Sequence, residues 1–445
     1  MLDKFSDILK NPYFLAVSFI LAVFLITHVS YLKFIIFFCL IPIFLLVINF
    51  DFKKAFIFSF SAFFMSYLLS FTWLLRYNLK TFVLGGFSFI LPFVLLVLII
   101  FLYKHLFYKK INNKLFFSIL ALLFPVLWLL FFVVFEKLGF FSFWMNLAMF
   151  FPLSAPLIWI IKSEGITFLI VLFNSLIALL LSKKVQKIFL IFFGFLFSFF
   201  LFCFLFSVFS VPANEKPADI AVVQGVANYS WDYRFKNSDS ILQMYRDLTL
   251  SINESVDIIV WPEYSISKDP TKDEFFIMSL LDISNKTNAS IILGVPVFKN
   301  DEFSYFSPRY DTALFINENE FELIYSEKVA PYESNVLVVE DGSRIFYNDN
   351  LKIGVLLCWE ETQPNIIRRL VKENPDLIVS LANDQRFDNT AGIYLSSLFS
   401  RIAAAENRVF WIRATNTGMS QIINPNGKIT AKLPVLKRKI LIYKI

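Results

Sequence analysis

Three groups in the second half of the chain have the chemistry for a covalent reaction: the thiol of Cys358, the carboxylate of Glu263 and the amine of Lys328. Cys358 closes the apolar run Ile353–Leu357 and is followed by Trp359, Glu360 and Glu361. The run has the length and composition of a buried strand. The end of such a strand is where α/β sheets place their reactive groups. A core cysteine fits the same pattern, because free Cys is among the most buried residue types. Glu263 follows Ile258-Ile259-Val260-Trp261-Pro262. A carboxylate held after a strand and a proline, near apolar surface, has its pKa pushed up and suits a general base. A solvated loop glutamate is the plainer alternative. Lys328 lies in Tyr325-Ser326-Glu327-Lys328-Val329-Ala330-Pro331-Tyr332-Glu333. It could donate to a developing oxyanion or keep a nearby thiol ionised, or it could be an ordinary surface lysine.

The rest of the composition narrows the options. The only histidines, His28 and His105, fall in the first half. A Cys–His or Ser–His pair therefore cannot be built from the second half alone, and a nucleophile there needs Glu, Asp or Lys as its base. Cys39 and Cys203 lie inside apolar runs, which leaves Cys358 without a disulfide partner in its own half. There is no zinc spacing, no glycine-rich phosphate loop and no internal repeat, so neither metal nor cofactor is expected. The net charge of +6 does not argue for nucleic acid, since membrane-protein loops carry such an excess anyway.

These groups need elements to position them. The chain has 445 residues, 57% of them hydrophobic and 17% charged, which is too apolar for an ordinary soluble protein. Most of its 58 Phe precede residue 210. Apolar runs near 12–28, 34–50, 55–75, 82–103, 115–135, 165–182 and 188–210 are each about long enough to cross a bilayer. The second contains Pro42, which a membrane helix tolerates. The stretch 138–163, broken by Pro152 and Pro156, reads as a long interfacial or re-entrant loop, with an eighth span as the competing count. The first run lacks a small-x-small cleavage site and reads as a span, not a signal peptide. With the N-terminus inside, the cytoplasmic breaks hold Lys4, Lys10, Lys53, Lys54, Lys104, Lys109, Lys110, Lys114, Lys183, Lys184 and Lys187. The opposite side holds Lys33, Arg76, Lys80, Lys137 and Lys162. The eleven-to-five excess places the residues after 210 on the outer side.

Composition changes at Val211-Pro212-Ala213-Asn214, which sets the expected domains at 1–210 (about seven transmembrane helices) and 211–445. In the second, strand-like runs at 220–224, 256–261, 290–295, 312–316, 353–357, 377–381, 409–413 and 419–423 alternate with helical stretches near 237–253, 273–287, 362–373 and 391–407. The alternation predicts a layered α/β fold with a mixed sheet.

In the order Glu, Lys, Cys, and without histidine, this half resembles the nitrilase (carbon–nitrogen hydrolase) superfamily over roughly 217–430. The similarity runs through Trp261-Pro262-Glu263, Gly354–Glu360, Ser380-Leu381-Ala382-Asn383-Asp384, Arg401–Arg408, Ala414-Thr415-Asn416-Thr417-Gly418 and Asn424-Pro425-Asn426-Gly427. With the membrane half included, the chain is similar to the apolipoprotein N-acyltransferases. The resemblance implies an αββα sandwich on the outer side of a bacterial inner membrane. It implies Glu263 as base, Lys328 as oxyanion donor and Cys358 as nucleophile, with Glu333 and Glu360 in support. It also implies a phospholipid as acyl donor and the amino group of a diacylglyceryl-cysteine apolipoprotein as acceptor. Three features depart from the family pattern: a shortened segment after Lys328 without His, Trp359 where Tyr is common, and no final apolar run after residue 430. A membrane-tethered amidase and a non-catalytic lipoprotein-binding protein are the alternative readings.

Overall fold

The computed structural model describes residues 8–76, 78–137, 145–150, 155–182, 184, 194, 198, 217–226, 231–300, 307–317, 320–327, 335–339, 342–349, 351–388 and 390–445. The chain forms two compact units, Met1–Ser210 and Val211–Ile445.

The first unit is helical: α1 (Pro12–His28), α2 (Ile41–Asn49), α3 (Phe52–Phe71), α4 (Leu79–Phe107), α5 (Asn113–Lys137) and α6 (Ala155–Leu181). Among the described residues, five segments are long and apolar enough to cross a membrane: Leu32–Asn49, Phe52–Arg76, Leu79–Phe107, Leu115–Lys137 and Leu157–Leu181; Pro12–His28 is shorter. The starts are set by side-chain caps. Asn11, Asp51 and Asn78 each accept backbone N–H bonds from the first turn of α1, α3 and α4, filling orphan donors that hydrocarbon could not solvate.

Two expectations need refinement here. The second expected span is present as Leu32–Asn49, but in two helical pieces. A 3₁₀ helix over Ser30–Phe37 gives way to α2, with Pro42 in the first turn of α2, where a missing N–H costs nothing. The break is bridged by buried Asn174 of α6, which accepts from Leu40 N at 3.0 Å and donates to Ile36 O at 3.2 Å. Backbone freed inside a membrane needs such a partner. The second refinement concerns 138–163. Leu147–Phe150 form a short 3₁₀ turn and α6 already begins at Ala155, with non-helical torsions at Lys162. The last expected span, 188–210, lies almost wholly outside the described residues.

The second unit is built from β1 (Asp219–Gln224), α7 (Trp231–Lys236), α8 (Ser238–Leu250), β2 (Ile258–Val260), α9 (Glu274–Thr287), β3 (Ser290–Phe298), β4 (Arg309–Asn317), β5 (Glu320–Tyr325), β6 (Val336–Leu337), β7 (Ile345–Asn348), β8 (Leu351–Leu357), α10 (Pro364–Lys372), β9 (Leu377–Ala382), α11 (Ala391–Asn407), β10 (Phe410–Thr415), β11 (Gln421–Ile423), β12 (Ile429–Lys432) and β13 (Lys439–Lys444). The strands form two sheets, β13-β1-β2-β3-β4-β5 with β6 on β4, and β12-β11-β10-β9-β8-β7. Each has three parallel strands at its centre, β1-β2-β3 and β8-β9-β10, flanked by antiparallel neighbours.

Period-two alternation explains the layers. Along β1, Ile220 and Val222 join a core shared by both sheets, while Ala221 and Val223 pack with Ile241, Tyr245 and Leu280 of α8 and α9. Along β8 and β9, Ile353, Val355, Leu357, Leu377, Val379 and Leu381 face the shared core. Leu356 and Ile378 pack with Ile366, Leu370 and Ala404 of α10 and α11. Strands apolar on both faces require cover on both faces. The result is a helix–sheet–sheet–helix sandwich.

Candidate active site

The parallel strands β2 and β8 carry the two best candidates at their ends. Beyond β2, Glu263 is 5% exposed, so the plain loop-glutamate reading fails. Its backbone is pinned: Trp261 N donates to Ile292 O at 2.8 Å, and Gly294 N donates to Pro262 O at 3.2 Å. A Cβ on Gly294 would stand 2.5 Å from the Glu263 Cα, so only glycine lets β3 approach this closely. The next residue, Tyr264, has φ of +49°. Arg234 holds that turn by donating to Tyr264 O at 2.9 Å, and its other arm reaches Gln385 Oε1 at 2.6 Å. Burial pushes the Arg234 guanidinium down to about 10, against the opposing influence of Tyr245 and the Glu263 charge. The Arg234–Gln385 bond ties the Glu263 turn to the loop after β9, the strand beside β8.

Cys358 begins a 3₁₀ turn, Cys358–Thr362, at the end of β8. It is half-buried, with φ of +44°. Left-handed torsions at a non-glycine residue store strain of about 1–3 kcal/mol and cluster at functional sites. The turn is held by the two carboxylates that follow. Glu360, fully buried, accepts from Leu357 N at 2.8 Å and pairs with both arms of Arg344 at 2.6 and 2.7 Å. It also accepts from Ser326 Oγ at 3.1 Å and Glu327 N at 2.7 Å. Glu327 immediately precedes Lys328, so Glu360 anchors the approach to the candidate lysine onto the turn of the candidate nucleophile. Lys328 and Glu333 themselves lie outside the described residues.

Glu361 accepts from Ser380 Oγ at 2.8 Å, Ser400 Oγ at 2.9 Å and Arg413 Nε at 3.1 Å. Arg413 also grips Asp384 with two bonds of 2.8 and 3.0 Å. Burial opposes the Arg413 charge, but the Asp384 and Glu361 carboxylates outweigh it and hold its pKa above the ordinary value. A Cβ on Gly418 would collide with Asp384, which accounts for glycine there. Every oxygen of Glu360 and Glu361 is spent on these bonds. Both are positioning groups, and neither is a free base.

Sequence reasoning gave no role to Arg344, Glu361 or Arg413. The available signal was Arg413 itself. A charge in the middle of Phe410–Thr415, a strand otherwise apolar or small, must find buried carboxylates.

Residues 219–445 match the carbon-nitrogen hydrolase family. The chain belongs to the carbon-nitrogen hydrolase family. This carbon-nitrogen hydrolase is similar to the apolipoprotein N-acyltransferase of Azotobacter vinelandii, at 25% identity over 254 residues, covering 52% of this chain and 48% of that protein. The apolipoprotein N-acyltransferase of Rickettsia prowazekii is 29% identical over 218 residues, 43% of each chain. The chain thus spans about half the length of the curated relatives it matches. Among solved structures, an amidase from Nesterenkonia sp. AN1 aligns at 15% identity and a TM-score of 0.42 over 51% of this chain and 92% of that one.

The Gly294 contact gives a test that leaves every side chain of the candidate site in place. Gly294→Ala must push the Glu263 backbone away from β3. A displacement of about 1 Å at a reacting group costs on the order of a hundredfold. We expect turnover to fall by that order while the purified chain keeps its secondary structure by circular dichroism. Wild-type turnover in Gly294→Ala would show that the position of Glu263 is irrelevant.

Proposed function

We propose that the chain is an N-acyltransferase of lipoprotein maturation. A phospholipid would donate the acyl chain, and the amino group of a diacylglyceryl-cysteine apolipoprotein would accept it. The observation that carries the reading is Cys358 at a strained strand end, braced by Glu360 and Glu361, with buried Glu263 at the end of β2. The membrane-length helices and the similarity to proteins named apolipoprotein N-acyltransferase support it.

In the proposed reaction Glu263 takes the proton of the Cys358 thiol, and the thiolate attacks the ester carbonyl of the phospholipid. Lys328 donates to the tetrahedral oxyanion. The intermediate collapses by breaking the ester C–O bond. Glu263 returns the proton to the departing alkoxide, which leaves a lysophospholipid and a thioester. The apolipoprotein amine then attacks the thioester, Glu263 accepts the amine proton, and the C–S bond breaks as Glu263 passes that proton to the departing Cys358 thiolate, restoring the thiol and the carboxylate. Glu333 is proposed to support Lys328. No step needs a metal or cofactor. The domains are proposed as a membrane domain over 1–210 and a catalytic domain over 211–445. The lysine distribution supports an orientation with the catalytic domain on the outer side, and the similarity to apolipoprotein N-acyltransferases supports a bacterial inner-membrane location.

The test is intact-protein mass spectrometry of the full chain incubated with a defined phospholipid and no acceptor. The expected result is one added acyl mass, mapped to Cys358 and released by hydroxylamine. Turnover with an acceptor but no adduct at Cys358 would end the thioester mechanism. Ammonia release from simple amides without lipid would move the reading to a membrane-tethered amidase.

A further inference from the structure

At one end of the helical unit lies a crevice of about 660 Å³ that the proposed chemistry does not use. Four helices meet there: the end of α2, the start of α3, the last turns of α4 and the start of α5. Lys184, just beyond α6, completes the lining. Lys104 donates to Val47 O at 2.8 Å and to Phe50 O at 3.4 Å, and sits over the Phe101 ring, 4.5 Å from its centroid. Lys184 donates to the carbonyl after Val47, Ile48 O, at 3.5 Å and lies 5.1 Å from the Phe117 ring centroid. Two ammonium groups are therefore held on successive carbonyls of one helix end.

The bland explanation is helix capping, because cations favour the last turn of a helix. Capping accounts for one lysine at a time and uses only part of its capacity. Each ammonium has three N–H donors. Among the described residues neither lysine makes an ion pair with a carboxylate. The Asp51 charge reaches Lys104, but its Oδ1 already caps α3 by accepting from Lys54 N. The site thus concentrates two positive charges with donors to spare. His105 and Tyr108 also line it. Its walls are apolar: Leu98 and Leu102 of α4 are 39% and 57% exposed, and Phe101 and Phe117 stand beside the lysines.

Charge at the helix ends and apolar wall along their flanks is the amphipathic pattern of one class of molecule. We propose that this crevice binds an anionic glycerophospholipid of the leaflet on the lysine-rich side of the membrane. The phosphate would sit between Lys104 and Lys184, and the upper acyl chain would lie along Leu98 and Leu102. Its volume falls in the usual range for small-molecule sites. A basic residue near an anionic headgroup is worth roughly fivefold in affinity.

The experiment places the full chain in phosphatidylcholine nanodiscs doped with a diazirine-tagged lipid, either phosphatidylglycerol or phosphatidylcholine with identical chains. Crosslinked peptides are mapped by mass spectrometry. We expect phosphatidylglycerol to label peptides spanning 98–120 at least about fivefold more than phosphatidylcholine does. Lys184→Gln should remove most of that preference, and Lys104→Gln with Lys184→Gln should abolish it. Lys104 also steadies α2, so Leu102→Trp provides a second probe. It fills the crevice, leaves the lysine bonds intact, and should cut labelling without lowering the thermal midpoint. Cys358→Ala should keep the preference, which separates this site from lipid held by the thiol. Equal labelling by the two lipids, full labelling of Leu102→Trp, or displacement of phosphatidylglycerol by millimolar inorganic phosphate alone would each overturn the proposal.

Discussion

Cys358→Ala is expected to abolish acyl transfer, with a loss of more than about a thousandfold, because no other group on the turn can form the intermediate. Glu360 is wrapped by Arg344, Ser326, Glu327 and the Leu357 amide, and Glu361 by Arg413, Ser380 and Ser400. Neither carboxylate can take over as nucleophile. The substitution removes one half-buried sulfur and leaves every one of those bonds intact, so stability should change by no more than about 1 kcal/mol. The discriminating measurement is the pair: acyl transfer in a phospholipid assay, and thermal unfolding of the same preparation. Residual transfer within tenfold of wild type, in a chain that unfolds normally, would remove Cys358 from the reaction.

Arg413→Ala should do the reverse and act first on stability. It leaves Glu361 and Asp384 buried without their cation, and breaking a buried pair from one side costs about 3–5 kcal/mol. For a unit of this size that lowers the thermal midpoint by on the order of 10 °C. Activity should fall with it, because Glu361 lies in the turn that begins at Cys358. Arg413→Lys should recover only a part, since an ammonium cannot reproduce the two parallel bonds to Asp384 together with the one to Glu361. A wild-type midpoint in Arg413→Ala would mean that the buried network contributes nothing to the fold.

The sequence was most legible where physics is local. Ile353–Leu357 read as a buried strand because an apolar run ends in Cys358-Trp359 and two carboxylates, and β8 spans Leu351–Leu357. Val256–Trp261 read similarly, and β2 covers its middle, Ile258–Val260. The α/β layering followed from alternation of such runs. What stayed hidden was long-range. Lys439–Lys444 is a short apolar run between two lysines at the end of a basic stretch, and becomes a strand through pairing with β1. The break before α2 is stabilised by Asn174, more than a hundred residues away. Arg344 is unremarkable until Glu360 is placed beside it, and Arg413, though conspicuous inside an apolar strand, does not name its partners. The shortened segment after Lys328 and the last apolar run lie outside the described residues.

The pairing of β13 with β1 also bears on the order in which the second unit can form. Asp219 sits opposite Lys444, and Ile445 N donates to Ala218 O at 2.9 Å. During synthesis β1 therefore emerges long before its antiparallel neighbour exists. Until then one side of its backbone has no strand to bond, and an unpaired edge of that kind invites association with other chains. Contacts so distant along the chain slow folding, because the loop must close before they return any free energy. The second sheet faces no such wait: β7 through β12 are neighbours in both sequence and space. The half that carries Cys358 can organise from local pairings, whereas the half that carries Glu263 is completed only when distant β13 joins β1.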